Sequence, residues 1–181
     1  MNFRPAYTQN NNVVKKVYGA GQGNSGEKER DFLQNRSYVL IDIPEEMEIT
    51  PYYQTMEVFG AGSWGGVGMK FTPGDAKACP DSASTVIDLM RGTISAAYGG
   101  SYKEGITRRT MVNVPAASTI NITNIFGGAY GFIDTQKDAN GDEVLDTDGN
   151  TIPWPRNDVP CDVYEANVNF SSENAFVTGA I

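Results

Sequence analysis

Ile106-Thr-Arg-Arg-Thr-Met-Val-Asn-Val-Pro115 alternates in residue type with a period near two and is rich in β-branched side chains. Residues 118–125 continue this composition, and a polar stretch with the turn dipeptides Asn140-Gly141 and Asp148-Gly149 follows. β-Branched residues with this period, bounded by Gly, Pro, Asn and Asp, are typical of strands joined by tight turns. The stretch 106–154 therefore predicts antiparallel strands around which the rest of the chain is organised.

A helix is predicted upstream of this stretch, over residues 80–98. Asp81 or Ser82 is suited to the N-cap position. The segment is closed by a Gly-Gly pair, and its apolar residues recur at helical spacing, namely Val86, Leu89, Met90 and Ile94. This apolar stripe predicts one α-helix that packs on the sheet formed by residues 106–125.

Length and composition indicate a single, mainly β domain. The chain has 181 residues, of which 20 are Gly and 9 are Pro, and this balance favours short elements and many turns. We expect an extended N-terminal arm over residues 1–26, followed by one β-rich domain over 27–181 with a protruding hairpin near 134–152. Whether the arm adds a strand to a sheet or is a disordered tail is left open. Further elements are predicted as strands at 13–18, 38–43, 52–59, 69–73 and 165–170 and as a short charged helix at 27–35.

Charge and composition exclude several classes of function. The formal net charge is −8 and the sequence pI is about 4.5, so the surface repels phosphate backbones and anionic lipid. The chain has no His, which removes the usual catalytic triads and the commonest zinc ligand. No signal peptide and no apolar run long enough to cross a bilayer is present. We therefore expect no cofactor, no nucleic-acid partner and no membrane insertion.

The two cysteines, Cys79 and Cys161, are too few for a zinc site or a disulfide framework. If they pair, they close a loop of roughly 80 residues, which stabilises the fold by about 4–5 kcal/mol in the chain-entropy model. The alternative is two buried thiols, which the lack of a secretion signal favours. Whether they pair is left open.

The acidic segment 138–150 has the composition of a calcium loop but not its spacing. An EF-hand needs Gly at position 6 and Glu at position 12, and a count from Asp138 puts Glu143 and Gly149 there. A count from Asp146 fails in the same way. The segment instead predicts two type I′ hairpin turns around the two Asx-Gly pairs. Asp138, Asp142 and Asp146 remain weak calcium candidates.

Two other stretches invite a catalytic interpretation. Glu45, Glu46 and Glu48 resemble paired carboxylates, but adjacent residues of a strand point to opposite faces, so a solvated connection is favoured. The glycine-rich run 60–68 lacks both the Gly-Lys-Ser/Thr ending of a P-loop and a following helix. No catalytic residue is assigned, and the protein is predicted not to be an enzyme; a carboxylate-dependent hydrolase without His is the remaining enzymatic alternative.

Three features together resemble small β-rich structural proteins of bacteriophage virions, such as capsid, spike, decoration or tail components. They are the polar run 9–12, the glycine-rich loop 60–68 and the turns of 138–150. The resemblance implies an antiparallel β-sandwich or jelly-roll-like domain, symmetric homo-oligomers, and contacts with other copies and other virion proteins. It also implies synthesis in the host cytoplasm and a final location in the virion.

Exposed aromatic and apolar residues supply the candidate contacts. The interface candidates are Val13, Val14, Tyr18, Trp64, Trp154 and Phe176. A second possible role is a carbohydrate or host-surface binding module, whose aromatic platform would consist of Trp64, Tyr98, Tyr102 and Trp154.

Overall fold

The described residues form ten β-strands and no α-helix. The computed structural model describes residues 2–3, 14–21, 35–44, 56–67, 77, 79–103, 105–131, 135–136, 138–152 and 161–181. The strands are β1 Asn2–Phe3, β2 Lys16–Tyr18, β3 Arg36–Asp42, β4 Glu57–Phe59, β5 Ser84–Arg91, β6 Thr93–Tyr98, β7 Gly105–Val114, β8 Asn121–Phe126, β9 Cys161–Phe170 and β10 Phe176–Val177.

The strands lie in two five-stranded sheets in which every pairing is parallel. Sheet A has the order β1-β3-β5-β7-β9, and sheet B has the order β10-β8-β6-β4-β2. Consecutive strands alternate between the sheets, so the chain winds as a β-solenoid in which each coil adds one strand to each sheet. The predicted antiparallel β-sandwich or jelly-roll is therefore wrong. An antiparallel pair is joined by a direct hairpin, whereas here each strand is followed by a strand of the opposite sheet.

The predicted α-helix over residues 80–98 is also wrong, because this segment forms β5 and β6. Gly92 separates the two strands with φ of +117°, a conformation that residues with a side chain rarely adopt, and it redirects the chain from sheet A to sheet B. Along β5 the residues that are 0% exposed recur with period two, at Thr85, Ile87 and Leu89. The segment is rich in β-branched residues that pack well on a pleated surface, and its helical spacing was coincidental.

The hydrophobic core is a single layer between the two sheets. Both sheets contribute side chains to one cluster, as expected when parallel sheets are covered. Sheet A contributes Val39, Ile41, Ile87, Leu89, Val112 and Val114, and sheet B contributes Val17, Val58, Ile94, Ala97, Ile122 and Ile125. This arrangement leaves the outer face of each sheet for polar or aromatic rows.

The C-terminal segment completes sheet B. Phe176 N–H donates to the carbonyl of Ile120 at 2.9 Å, and Ile125 N–H donates to the carbonyl of Ala180 at 2.9 Å. The segment from Phe176 to Ala180 thus runs along β8 and covers that edge of the sheet. The apolar C-terminal segment docks on its own chain.

Several predictions fall outside the described residues. These are the helix at 27–35 apart from Asn35, the strand at 69–73, the first part of the strand at 52–59, the polar run 9–12, Glu45, Glu46, Glu48, Val13 and Trp154. The predicted strand at 38–43 corresponds to β3, and residues 16–18 of the predicted strand 13–18 form β2. The division into an arm and one domain with a protruding hairpin stays a prediction.

Candidate functional site: an aromatic face and an open sheet edge

A row of stacked aromatic rings crosses the outer face of sheet B. Tyr18, Phe59, Tyr98 and Phe126 are the last residues of β2, β4, β6 and β8, and they lie in register. Neighbouring ring centroids are 5.3, 5.1 and 5.0 Å apart, with interplanar angles of 23°, 7° and 14°. Parallel in-register pairing places like positions of successive coils side by side, so one aromatic per coil produces a continuous stack.

A glycine follows each aromatic residue of this row, because the coils approach too closely for a side chain. A Cβ on Gly60 would collide with the carbonyl oxygen of Gly99, and a Cβ on Gly99 would collide with that of Gly127. Buried hydroxyl groups of sheet A bond to the same carbonyls across the core, with the donors Ser37, Thr85 and Thr110 bonding to Gly60, Gly99 and Gly127 respectively. The three coils that contain Gly60, Gly99 and Gly127 therefore each repeat one aromatic, one glycine and one inward hydroxyl.

This repeat is visible in the sequence once the fold is known. It reads Val17-Tyr-Gly-Ala-Gly21, Val58-Phe-Gly-Ala-Gly62, Ala97-Tyr-Gly-Gly-Ser101 and Ile125-Phe-Gly-Gly-Ala129. The aromatic residues are 41, 39 and 28 positions apart, counted from 18 to 59, 59 to 98 and 98 to 126. The repeat is difficult to recognise from the sequence alone because its period is unequal, and a fixed period is the usual signature of a solenoid.

A second aromatic layer lies on the first. Tyr102 and Tyr130 stack on each other at 5.6 Å, and they meet Phe59 and Tyr98 edge-on at 5.1 and 5.0 Å. Stacked and edge-to-face contacts of this kind each stabilise by about 0.5–1.5 kcal/mol beyond the buried area. The two tyrosines thus hold the aromatic row together between coils.

Lys16 is the cation of this aromatic face. Its Nζ lies 3.5 Å from the ring centroid of Tyr102 and 3.1 Å from Oε2 of Glu57. Burial lowers the pKa of Lys16, but hydrogen bonds to Tyr102 and Glu57 outweigh this effect and hold the pKa above its usual value. The ammonium group is therefore engaged in structural contacts and stays charged at neutral pH.

An open groove of about 400 Å³ lies at the exposed end of the aromatic row. Phe126 and Tyr130 are 37% and 44% exposed, whereas Tyr98 is only 8% exposed. The described lining has no charged side chain and consists of Tyr98, Ile125, Phe126, Gly127, Gly128, Ala129, Tyr130 and Ile181. The groove thus offers two accessible aromatic side chains and a tyrosine floor.

The burial of Tyr98 predicts a pH effect. Desolvation raises the pKa of this tyrosine to about 12, and the nearby carboxylate of Glu57 adds to the shift. Because the pKa is raised in the folded state, the neutral hydroxyl of Tyr98 contributes fully to the stability of the fold below about pH 10, the pKa of an unfolded tyrosine. This contribution to the free energy of unfolding is lost as the pH rises towards 12. In a spectrophotometric tyrosinate titration, we expect Tyr98→Phe to remove one late-titrating group. Loss of a group titrating near pH 10 instead would contradict this placement.

Sheet A carries a polar row on its outer face. Asp88 accepts hydrogen bonds from the hydroxyl of Tyr38 at 2.6 Å and from Nδ2 of Asn113 at 2.7 Å. Asn169 Nδ2 in turn donates to Oδ1 of Asn113 at 2.9 Å. The row links four strands, so its polar groups stabilise the stacking of the coils.

β9 is the edge strand of sheet A at the C-terminal end of the solenoid. It has ten residues and pairs with β7 in an unbroken register. Glu165 of β9 bonds to Nε of Arg109 at 2.6 Å, which lowers the pKa of that carboxyl group. Tyr164 lies against the guanidinium of Arg108 at 4.1 Å and is 45% exposed. In the described part of the chain, no strand pairs with the outer edge of β9.

The predicted interface residues lie in different environments. Tyr18 belongs to the aromatic row, and Val14 is partly buried against the core. Trp64 is half-buried, with Nζ of Lys103 at 4.4 Å from its ring. Phe176 of β10 is 64% exposed. Of the proposed aromatic platform, the structure brings Tyr98 and Tyr102 into one cluster, and the role of these residues as interfaces stays a prediction.

The acidic turns hold their carboxylates through backbone N–H groups. Oδ1 of Asp138 accepts hydrogen bonds from Asn140 at 2.8 Å and Asp142 at 3.0 Å, and these bonds lower the pKa of Asp138. The N–H of Gly141 bonds to the carbonyl of Asp138 at 3.1 Å, so Asn140 is the third and Gly141 the fourth residue of the turn. A type I′ turn needs Asn140 and Gly141 as its two central residues, so the type I′ prediction is wrong. The same pattern repeats from Asp146.

The described side chains form neither a metal-binding cluster nor a disulfide bond. Among the described residues, no three Cys, Asp or Glu side chains are placed to hold a metal ion. The calcium interpretation of Asp138, Asp142 and Asp146 stays a prediction. Cys79 and Cys161 are not disulfide-bonded. In the part of the chain that the structure describes, no helix is long and apolar enough to span a membrane.

Comparison of the chain with protein-family models, with curated proteins and with solved structures gave no match. The comparisons therefore provide no evidence for a virion or capsid component. Two surfaces are the candidates for function, namely the aromatic groove of sheet B and the open edge of β9.

Proposed function

We propose that this protein is a non-enzymatic structural subunit of a bacteriophage particle that assembles with other subunits through contacts between their surfaces. The observation that carries the proposal is the open edge of β9. A ten-residue strand spans about 33 Å, and its outer row of backbone N–H and C=O groups can pair with another chain.

The two sheets end differently at the C-terminal end of the solenoid. The last strand of sheet B is short, and the segment that contains it covers β8. β9 has no Lys and no Pro, and its pairing with β7 has no bulge, so three features that often protect an exposed edge are missing from this strand. A long edge without these features favours a role in which that edge is covered in the assembled state.

The polar rows also favour a structural role. Asp88, Asn113 and Asn169 bond to one another, and Glu165 bonds to Arg109. Side chains committed to such contacts stabilise a stack of coils and are not arranged to activate a nucleophile.

Light scattering coupled to size-exclusion chromatography tests the assembly part of this proposal. We expect the purified chain to elute as a discrete oligomer whose mass is a multiple of 19.6 kDa. A monomer at every concentration up to several hundred micromolar would contradict the proposal. Immunogold labelling tests the particle part, and antibodies against the chain should label intact phage particles purified from a lysate of cells carrying the gene. Reactivity confined to the particle-free fraction would argue against it.

The groove beside Phe126 and Tyr130 favours a second candidate, a carbohydrate-binding module. Exposed aromatic side chains in a groove whose described lining has no charged side chain suit an uncharged ligand with an apolar face and polar edges. A glycan array tests this function, with Tyr130→Ala as the disrupted variant and Tyr38→Ala, on the outer face of the opposite sheet, as its matched control. Binding that is lost in the first variant and kept in the second would support the module, and an array without any signal would reject it.

A further inference from the structure

Hydrogen bonding decides which backbone groups of β9 are available at its outer edge. The N–H of Ser171 donates to the carbonyl of Val114 at 2.9 Å, whereas the N–H of Arg109 on β7 donates to Ala83, on the side of β5. In a parallel pair, alternate residues of a strand bond to the same neighbour. The odd-numbered residues of β9 therefore bond to β7, and the even-numbered residues direct their N–H and C=O groups outward, namely Asp162, Tyr164, Ala166, Val168 and Phe170.

The even-numbered set is self-complementary about its middle residue. An antiparallel pairing of two β9 strands centred on Ala166 places Tyr164 opposite Val168 of the second copy. The same register matches Asp162 with Phe170 of the second copy, so all these pairs consist of residues that direct their backbone groups outward. Even–even pairs are what the closely spaced hydrogen bonds of an antiparallel ladder require.

The charges permit this pairing. β9 carries two carboxylates, Asp162 and Glu165, and no basic residue. In the register centred on Ala166, Glu165 lies opposite Asn167 of the second copy, so that no carboxylate faces another. Glu165 is already neutralised by Arg109 of its own chain. A like-charge pair directly across a ladder would destabilise it, and this register avoids one.

A head-to-tail arrangement, in which β9 of one copy pairs with β1 of the next, would pair fewer described backbone groups. At the other end of sheet A, the edge strand β1 has two residues, Asn2 and Phe3, against the ten of β9. Among the described residues, stacking β9 on β1 of the next copy would pair only these two, whereas β9 on β9 pairs residues 162–170. Two-fold contacts are also the commonest symmetry of soluble oligomers.

We propose that two copies of this chain pair β9 with β9 in antiparallel orientation about a two-fold axis at Ala166. The two A sheets then join into one sheet of ten strands. The inference rests on the proposed structural function and names its first contact. Because each chain carries a net charge of −8, the dimer dissociation constant should fall as salt is added.

Ala166→Pro tests the interface. Proline removes the outward N–H at the centre of the ladder, and the bonds between β9 and β7 do not use this group, so the chain should still fold. Ala116→Pro is the matched control, since Ala116 is exposed in the turn that the N–H of Ser118 closes on Pro115. By light scattering, we expect the dimer dissociation constant to rise at least tenfold in Ala166→Pro and to stay unchanged in the control.

Disulfide trapping gives a second readout that does not depend on the proline variant. In a Cys79→Ser, Cys161→Ser background, Ala166→Cys should oxidise rapidly to a covalent dimer, because paired residues at a two-fold axis lie about 5.5 Å apart at Cα. Asn140→Cys, on an exposed turn, reports chance collisions and should remain mostly monomeric. If the wild-type chain is an oligomer, but Ala166→Pro leaves its dissociation constant unchanged and Ala166→Cys forms no covalent dimer, this interface is overturned. The proposed structural function would still stand in that case. A wild-type monomer at all concentrations overturns both.

Discussion

Gly99→Ala is expected to lower the free energy of unfolding by about 1–3 kcal/mol, the usual cost of overpacking a close contact. The added methyl group would meet the carbonyl oxygen of Gly127 and lie 2.7 Å from Cβ of Thr110. Both neighbours belong to the rigid ladder of the next coil, so neither can move without disturbing the stacked rings of Tyr98 and Phe126. Urea denaturation followed by circular dichroism measures the loss.

Gly128→Ala is the matched control for this prediction. A Cβ at Gly128 would meet no atom within 4 Å, and the substitution should change the free energy of unfolding by no more than about 0.5 kcal/mol. If the two alanine variants were equally stable, the close stacking of coils at the aromatic–glycine row would be wrong.

Ile87→Ala is expected to cost about 2–5 kcal/mol, the range for truncating a fully buried aliphatic residue. Ile87 lies on the inner face of β5, is 0% exposed and packs between Val39 and Val112 in the core cluster. Met90→Ala should cost less than half as much, because Met90 is only half-buried.

This pair of variants separates the observed strand from the helix that the spacing of apolar residues predicts. On the helical stripe, Met90 is a contact residue and Ile87 lies off the stripe. A larger loss for Met90→Ala than for Ile87→Ala, measured by the same urea titration, would contradict the strand assignment of residues 84–91.

Local patterns were sufficient to predict several strands. The alternation around Val39 and Ile41 corresponds to β3, whose buried residues have period two, and the one that ends at Val112 and Val114 corresponds to residues 110–114 of β7, where the same period holds. Strand direction was not predictable from these patterns, because the same alternation suits parallel and antiparallel pairing. The antiparallel prediction followed from turn dipeptides near Asn140, which lie outside both five-stranded sheets.

The helix prediction failed for a physical reason that the sequence also contains. Thr85, Val86 and Ile87 are three consecutive β-branched residues, and Gly92 interrupts the proposed helix at mid-length. The short-range spacing of Val86 and Leu89 suits a helix, but burial against both neighbouring strands of sheet A outweighs that preference. Tertiary context determined this segment.

The two candidate surfaces differ in how far the sequence could predict them. The aromatic row depends on a repeated aromatic–glycine pair, which the sequence contains at Tyr18, Phe59, Tyr98 and Phe126. The unequal spacing of these pairs makes the repeat difficult to recognise. The open edge was not predictable. That β9 ends sheet A follows from which strands pair over long distances, and no local pattern in residues 161–170 distinguishes an edge strand from a central one.

Nuclear Overhauser contacts between backbone protons test the parallel solenoid most directly. In uniformly ¹⁵N,¹³C-labelled protein, we expect cross-strand amide–Hα contacts in the registers Val86 with Met111 and Met111 with Asn167. Close Hα–Hα contacts, which mark antiparallel pairs, should be absent between neighbouring strands of one chain in the two sheets. Strong Hα–Hα contacts between residues 84–91 and 93–98, or sequential helical contacts across residues 84–98, would contradict the fold.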